Sequence, residues 1–203
     1  MRGNFRECAV VKIYGDSISG NCFKVVWTAD SLGLSYDWIE VDIMKGESHT
    51  PAFLAMNPAG QVPVVVLDDG RALSQSNAII LYLAEGSALI PSDAYDRARM
   101  LEWMFWEQYS HEPYVAVARF QVRYQGKPVA DLEPRLVERG KAALQRLEDG
   151  LATSAFLVGD QVSLADVALV AYTRMAGEGG FDLASYPAVT AWIWRVEQVL
   201  KIT

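Results

Sequence analysis

The stretch from Gln61 to Ala78 constrains the fold more than any other part of the sequence. Val64 to Leu67 is an unbroken apolar run, reached through Val62 and Pro63, and reads as a buried strand. Asp68, Asp69 and Gly70 are turn formers, so Arg71 to Leu73 can return as a short antiparallel partner. Ser74 to Asn77 then opens a helix backed by Ile79, Ile80, Leu81 and Leu83. A proline at the mouth of a buried strand removes a ladder donor. A cis Val62–Pro63 bond is one way to accommodate it. Such a bend leaves the N–H and C=O of Val62 facing outward, where an extended peptide can pair with them. Ser76 at the helix N-terminus adds free N–H groups and the positive end of the helix dipole, which attract a carboxylate. Backbone pairing beside an anion seat at Gln75 and Ser76 fits a short acidic peptide. The plainer alternative is an edge proline followed by an ordinary Ser/Asn cap.

The rest of the chain supplies a sheet and then a run of helices. Val10 to Tyr14 reads as a strand ending at Gly15 and Asp16, followed by a helix with Val25, Val26, Ala29 and Leu32 on its apolar face and Gly33 as its stop. Tyr36 to Val41 is a second strand, and Glu47 to Met56 a loose helix ending at Asn57-Pro58. The third helix runs to about Gly86. The resulting order, β-α-β-α-β-β-α, requires a parallel pair inside one mixed sheet and matches an α+β, thioredoxin-like domain over residues 1–87. Residues 88–92, with Pro91, read as a linker. Residues 93–203 carry only helical patterns and form an all-α domain.

In that second domain Asp93 to Gln121 is one long helical pattern, expected to bend near Pro113. Asp131 to Leu151 follows, with Leu136, Leu144, Leu147 and Leu151 apolar. Ser163-Leu164-Ala165-Asp166 is a capping box that explains Asp166 as structural. The helix it starts, to about Ala176, is apolar on most sides and should be the domain's core. Gly177 to Gly180 lacks the preceding strand and the following Lys-Ser/Thr of a phosphate loop, and is a turn. Pro187 begins the last helix.

Eighteen Lys and Arg against 25 Asp and Glu leave a net charge of −7 over 203 residues. That balance argues against general nucleic-acid binding, which needs phosphate neutralisation. No apolar run is long enough to span a bilayer, and the N-terminus lacks a signal peptide's apolar core. Cys8 and Cys22 make no disulfide framework, and His49 and His111 are too scattered for zinc. The expectation is a cytoplasmic protein without a metal.

Asn57-Pro58, Gly60-Gln61-Val62-Pro63 and Leu73-Ser74-Gln75-Ser76 together resemble the glutathione-binding half of the glutathione S-transferase family, and the similarity extends over essentially the whole chain. The resemblance implies glutathione as co-substrate, with Val62, next to Pro63, pairing with its cysteinyl backbone. It also implies Gln75 and Ser76 at its γ-glutamyl end, and Gln61 as a further contact. Many members carry Glu where this chain has Gln75. For the glycine end, Lys45, Ser48, His49 and Thr50 lie in the relevant region, and His49 is the choice. The electrophile pocket would be walled by Tyr109, His111, Tyr114 and Arg119. The family also implies a homodimer and a detoxifying conjugation of small hydrophobic electrophiles.

Thioredoxin-like domains carry a Cys-x-x-Cys pair at the first helix. Here that position reads Ser19-Gly20-Asn21-Cys22, so dithiol chemistry within the chain is lost and a bound glutathione must bring the sulfur. A free thiol, with a pKa of about 8.5, is mostly protonated at neutral pH. A hydroxyl hydrogen bond plus the helix N-terminus favours the thiolate. Spacing to Val25 matches Ser19 to the family's activating serine, with Ser17 as runner-up and Asn21 as an amide alternative. Cys22 reads as structural. Two rival readings use the same fold: glutathione-dependent reduction of a disulfide or peroxide, and a binding module without turnover.

Overall fold

In the computed structural model, residues 11–202 are described, and they fold as two compact units that divide between Ser87 and Ala88. Cys8 and the expected strand start at Val10 lie outside the described residues.

Strand β1 (Val11–Gly15) pairs in parallel with β2 (Tyr36–Glu40) and antiparallel with β3 (Val64–Val66), which pairs antiparallel with β4 (Ala72–Ser74). The sheet order is β2-β1-β3-β4, the mixed thioredoxin-like arrangement expected. Helix α1 (Gly20–Ser31) supplies the β1-to-β2 crossover that parallel pairing demands. Alternation along the strands sorts the side chains onto two faces. Val64 joins Val41 and Phe53 in one cluster, with Tyr14, Met56, Val62 and Val66 packed against it. The opposite face carries Ile13 and Val65, paired in register and fully buried. Helices α1 and α3 (Ser76–Leu83) pack together and bury Val25, Ala29, Ile79 and Ile80. Each such side chain contributes roughly 1.5–3 kcal/mol if fully removed from water, alanine less.

Register explains why distant sequence segments meet. Tyr14 lies opposite Val64, and Val64 opposite Ser74. The C-terminal end of β1, the start of β3 and the end of β4 therefore share one end of the sheet. The segments that continue from them, 15–19, 62–63 and 75–76, cluster there.

The expected helix over 47–56 is shorter. Two 3₁₀ turns, Ile43–Lys45 and Glu47–His49, precede α2 (Pro51–Met56). Thr50 caps α2 through Phe53 N–H, and Pro51 occupies its first position, so the helix cannot begin earlier.

In unit 2 every residue of α7 (Leu164–Thr173) is buried. It packs against α4 (Ala94–Trp106), α5 (Glu112–Arg123) and α8 (Pro187–Leu200), while α6 (Pro134–Leu151) packs on α5 and α8. The long pattern from Asp93 is broken by a π-helical turn, Glu107–His111, just before Pro113. The wider turn absorbs the donor that proline lacks and the room its ring needs. Helix α6 starts at Pro134, three residues later than its apolar pattern suggests, because a 3₁₀ turn (Val129–Asp131) intervenes. The segment 88–92 is no free linker: Leu89 and Ile90 are buried, and the Leu89 carbonyl accepts from Leu164 N–H at 2.9 Å. Among the described residues no helix is long and apolar enough to cross a membrane.

Candidate functional site

The loop from β1 into α1 has no regular structure, so its backbone donors need other partners. Asp16 N–H points to Cys22 Sγ at 3.4 Å, Ile18 N–H to Asp16 Oδ1 at 2.9 Å, and Ser19 N–H to the Asp16 carbonyl at 3.1 Å. Ser17 N–H reaches Glu40 Oε1 at 3.0 Å, and Glu40 Oε2 accepts the Trp38 indole N–H at 2.7 Å. The Trp38 ring lies over Gly15, where an added Cβ would stand 2.5 Å from it. Only glycine fits there.

Ser19 is the N-cap of α1, yet its side chain caps no backbone N–H. Its hydroxyl instead acts on the nearby Cys22 thiol, favouring the charged form. Both residues are buried, Ser19 at 9% exposure and Cys22 at 1%. Burial pushes the Cys22 thiol up to about 12; bonds from Asp16 N–H and Ser19 pull it back, while the Asp16 and Glu40 charges raise it further. Cys22 is therefore a neutral thiol at physiological pH, structural as its position in the first turn suggests. Ser17 is exposed.

Two helix N-termini meet beside this loop. Ser76 donates its hydroxyl to Asn21 Oδ1 at 2.8 Å, tying the start of α3 to the start of α1. Gln75, the α3 N-cap, has φ 71° and ψ 108° and makes no side-chain cap bond. A non-glycine residue in that region costs on the order of 1–3 kcal/mol and is held by its surroundings.

The Val62–Pro63 bond is cis. Among the described residues neither the N–H nor the C=O of Val62 takes a hydrogen bond. Asn57 Nδ2 donates to the Gln61 carbonyl at 2.7 Å and its Oδ1 accepts from Ala59 N–H, which fixes the turn leading into this segment. His49 lies against the same turn. A Cβ on Gly60, at φ +63°, would come within 2.9 Å of its Nε2, and its Nδ1 is 3.1 Å from Ser48 Oγ. Lys45 is instead engaged with Asp42 at 2.8 Å on the surface. Unit 1 thus brings Ser17, Ser19, Asn21, Val62, Pro63, Gln75 and Ser76 to one end of the sheet, with Gln61 and His49 on the adjoining turn.

The residues expected to wall an electrophile pocket divide. His111 is fully buried in unit 2, its Nε2 bonded to Thr173 Oγ1 at 3.0 Å, so it cannot line an open pocket. Arg119 is likewise buried and donates from Nε to Glu178 at 2.9 Å. Helix rotation decides both outcomes, and a sequence pattern does not fix it where aromatic residues occupy several faces. Tyr109, on the π turn, is 84% exposed, and Tyr114 is half-buried. Glu40 and Trp38 were not among the expected residues. The signal for them was the Tyr36, Trp38, Glu40 alternation, which puts all three on one face of β2.

A thioredoxin-like domain with an unpaired strand-entrance backbone beside open helix N-termini, followed by an α-helical unit, defines a class of thiol-peptide binding proteins. Residues 18–85 match the glutathione S-transferase N-terminal domain and residues 104–198 the glutathione S-transferase C-terminal domain. A glutathione S-transferase from Pseudomonas fluorescens Pf-5 is 49% identical, with a TM-score of 0.89, over 93% of this chain and 94% of that one. Disulfide-bond oxidoreductase YfcG of Escherichia coli K12 is 32% identical over 187 residues, 87% of this chain and 85% of its own. Glutathione S-transferase 3 of Zea mays is 32% identical over 196 residues, 91% and 87% respectively. The chain belongs to the glutathione S-transferase family.

Proposed function

We propose that this protein is a glutathione transferase that joins the glutathione sulfur to a small hydrophobic electrophile. The observation that carries this reading is the convergence at one sheet end. The unbonded Val62 backbone lies beside the N-termini of α1 and α3, which the Ser76–Asn21 bond ties together. In this reading Val62 pairs with the cysteinyl backbone of glutathione as an added strand residue. The γ-glutamyl carboxylate takes Ser76 N–H and the α3 dipole. Gln75 accepts from the γ-glutamyl ammonium through its carbonyl, more weakly than a carboxylate would. Gln61 and His49 face the glycine end.

Ser19 is the proposed donor to the glutathione sulfur, with Ser17 and Asn21 as its rivals. One hydroxyl proton serves one acceptor at a time. Ser19 must therefore commit its proton to the bound sulfur, leaving its oxygen free to accept. The thiol's proton leaves to solvent, and the thiolate then attacks the electrophilic carbon. A C–S bond forms as the electron pair moves to a leaving group or into the activated double bond. Shifting the thiol pKa down by two units, about 2.7 kcal/mol, would make thiolate the major form at neutral pH. Tyr109 and Tyr114 are the proposed electrophile contacts, and a second copy of the chain is the proposed partner.

Ultraviolet titration of bound glutathione tests this directly. A thiol pKa lowered by more than one unit is expected; absence of glutathione binding at millimolar concentration would instead mark a binding module that has lost turnover. A second reading, glutathione-dependent disulfide reduction, draws on the similarity to disulfide-bond oxidoreductase YfcG. The same thiolate attacks one sulfur of the disulfide, forming a mixed disulfide and releasing one thiol, and a second glutathione then displaces the other thiol to leave glutathione disulfide. Turnover of a halonitroarene against a glutathione-capped disulfide separates the two.

A further inference from the structure

The loop from Asp16 to Ser19 carries both candidate hydroxyls, and its four backbone donors are held in different ways. Those of Asp16, Ile18 and Ser19 are bonded to Cys22 or Asp16, within the loop and the first turn of α1. Such local bonds shape the loop but do not fix its position against the sheet. Ser17 N–H instead crosses to Glu40, 23 residues away at the C-terminal end of β2.

Glu40 is itself held in place. Its second oxygen takes the Trp38 indole at 2.7 Å, and the Trp38 ring rests on Gly15, the last residue of β1. Gly15 lies directly opposite Glu40 in the parallel register, and Val41 N–H donates to the Gly15 carbonyl at 2.8 Å. The chain of contacts therefore runs from the sheet through Gly15, Trp38 and Glu40 to the loop. A negative charge this close to a centre meant to stabilise a thiolate is electrostatically unfavourable, and its field already reaches Cys22. Both of its oxygens are committed to N–H donors, so its job is to bond rather than to supply charge.

We infer that Glu40 is a positioning residue: by holding Ser17 N–H and the Trp38 indole it fixes the loop that presents Ser17 and Ser19 to the bound thiol. This rests on the proposed transferase reading and names a residue that acts on that chemistry without touching it.

Two substitutions separate position from charge. Glu40→Ala and Glu40→Gln remove the same charge, but glutamine keeps a carbonyl that can accept from Ser17 N–H. With Glu40→Ala the bound glutathione thiol should rise by about one pKa unit and kcat fall about tenfold at neutral pH. The KM for glutathione should stay within about twofold, since the peptide-holding residues are untouched. Glu40→Gln should stay within about threefold of the unmodified protein in kcat. In the ligand-free protein, the Ser17 amide should lose its hydrogen-exchange protection in Glu40→Ala and keep it in Glu40→Gln. The inference is overturned if the two variants behave alike, or if Glu40→Ala leaves the thiol pKa unchanged. Ser17→Ala and Ser19→Ala run alongside. If neither moves the thiol pKa, the hydroxyl reading falls, whereas the Ser17 amide result still reports whether Glu40 holds the loop.

Discussion

Helix N-termini are finished differently at α1 and α3 of unit 1 and at α4, α7 and α8 of unit 2. In unit 2, carboxylates close those of α4, α7 and α8. Asp93 accepts from Tyr95 and Asp96 N–H at the start of α4. Asp166 sits at α7 and accepts from Ser163 N–H and Oγ, Leu157 N–H and Trp192 Nε1. Glu148, from α6, accepts from Ala188 and Val189 N–H at the start of α8. In unit 1, α1 and α3 begin at Ser19 and Gln75, and neither side chain caps its helix. A capping side chain typically contributes about 1 kcal/mol, so leaving it out costs stability. The difference teaches how to read a polar residue at a helix start. Where a carboxylate of the chain already fills the positive end, the residue is architectural. Where it is left open beside an unbonded strand entrance, an anion from outside can take the place.

The comparison can be broken most forcefully at Asp166. Burial pushes its carboxyl above the usual carboxylate range, and its four hydrogen bonds pull it back. Asp166→Ala strands those donors in the core and should cost about 3 kcal/mol or more. Urea unfolding would check it, and a loss under 1 kcal/mol would show that the closed N-terminus is not structurally important. The two serines make the next test. Ser163→Ala should cost about 1 kcal/mol of stability, and Ser19→Ala under about 0.5 kcal/mol through capping. Ser19→Ala should instead raise the bound thiol by about one pKa unit, near 1.4 kcal/mol, seen in thiolate absorbance. Equal stability losses with no spectral change would erase the distinction.

A smaller effect should follow from Gln75→Glu. A full charge facing the glutathione ammonium should tighten binding two- to fivefold, about 0.5–1 kcal/mol, measured by calorimetry. Weaker binding would mean that this side chain does not face the ammonium. The smallest expected effect concerns Cys22. With its thiol raised to about 12, it stays protonated at pH 8 and should resist disulfide reagents until the protein unfolds. The measurement needs a Cys8→Ser background, and rapid labelling of the native protein would contradict the buried, structural role.

Much of this architecture was legible in advance because it rests on short-range pattern. The valine run, the Asp-Asp-Gly turn and the β-α-β order gave the sheet. The Ser163 to Asp166 spacing gave a capping box without any knowledge of what surrounds it. Residues 88–92 read as a linker from Pro91, while Leu89 and Ile90 find a core to bury in, which depends on what packs around them. His111 and Arg119 were misassigned for a related reason. Their helix carries aromatic and charged residues around much of its circumference, and the π turn at Glu107–His111 shifts the phase of everything after it.

The amino-acid order alone determined which residues can bend, cap and pair: Pro63 before a buried run, serine in place of a redox cysteine at position 19, Gln75 and Ser76 at a helix start. Those are local properties, set by covalent geometry and side-chain chemistry within a few residues. Only the tertiary structure decided which of them meet. Ser76 finds Asn21 across 55 positions, and Ser17 finds Glu40 across 23. Such pairings depend on strand register and helix packing, which are properties of the whole sheet and not of any window along the chain.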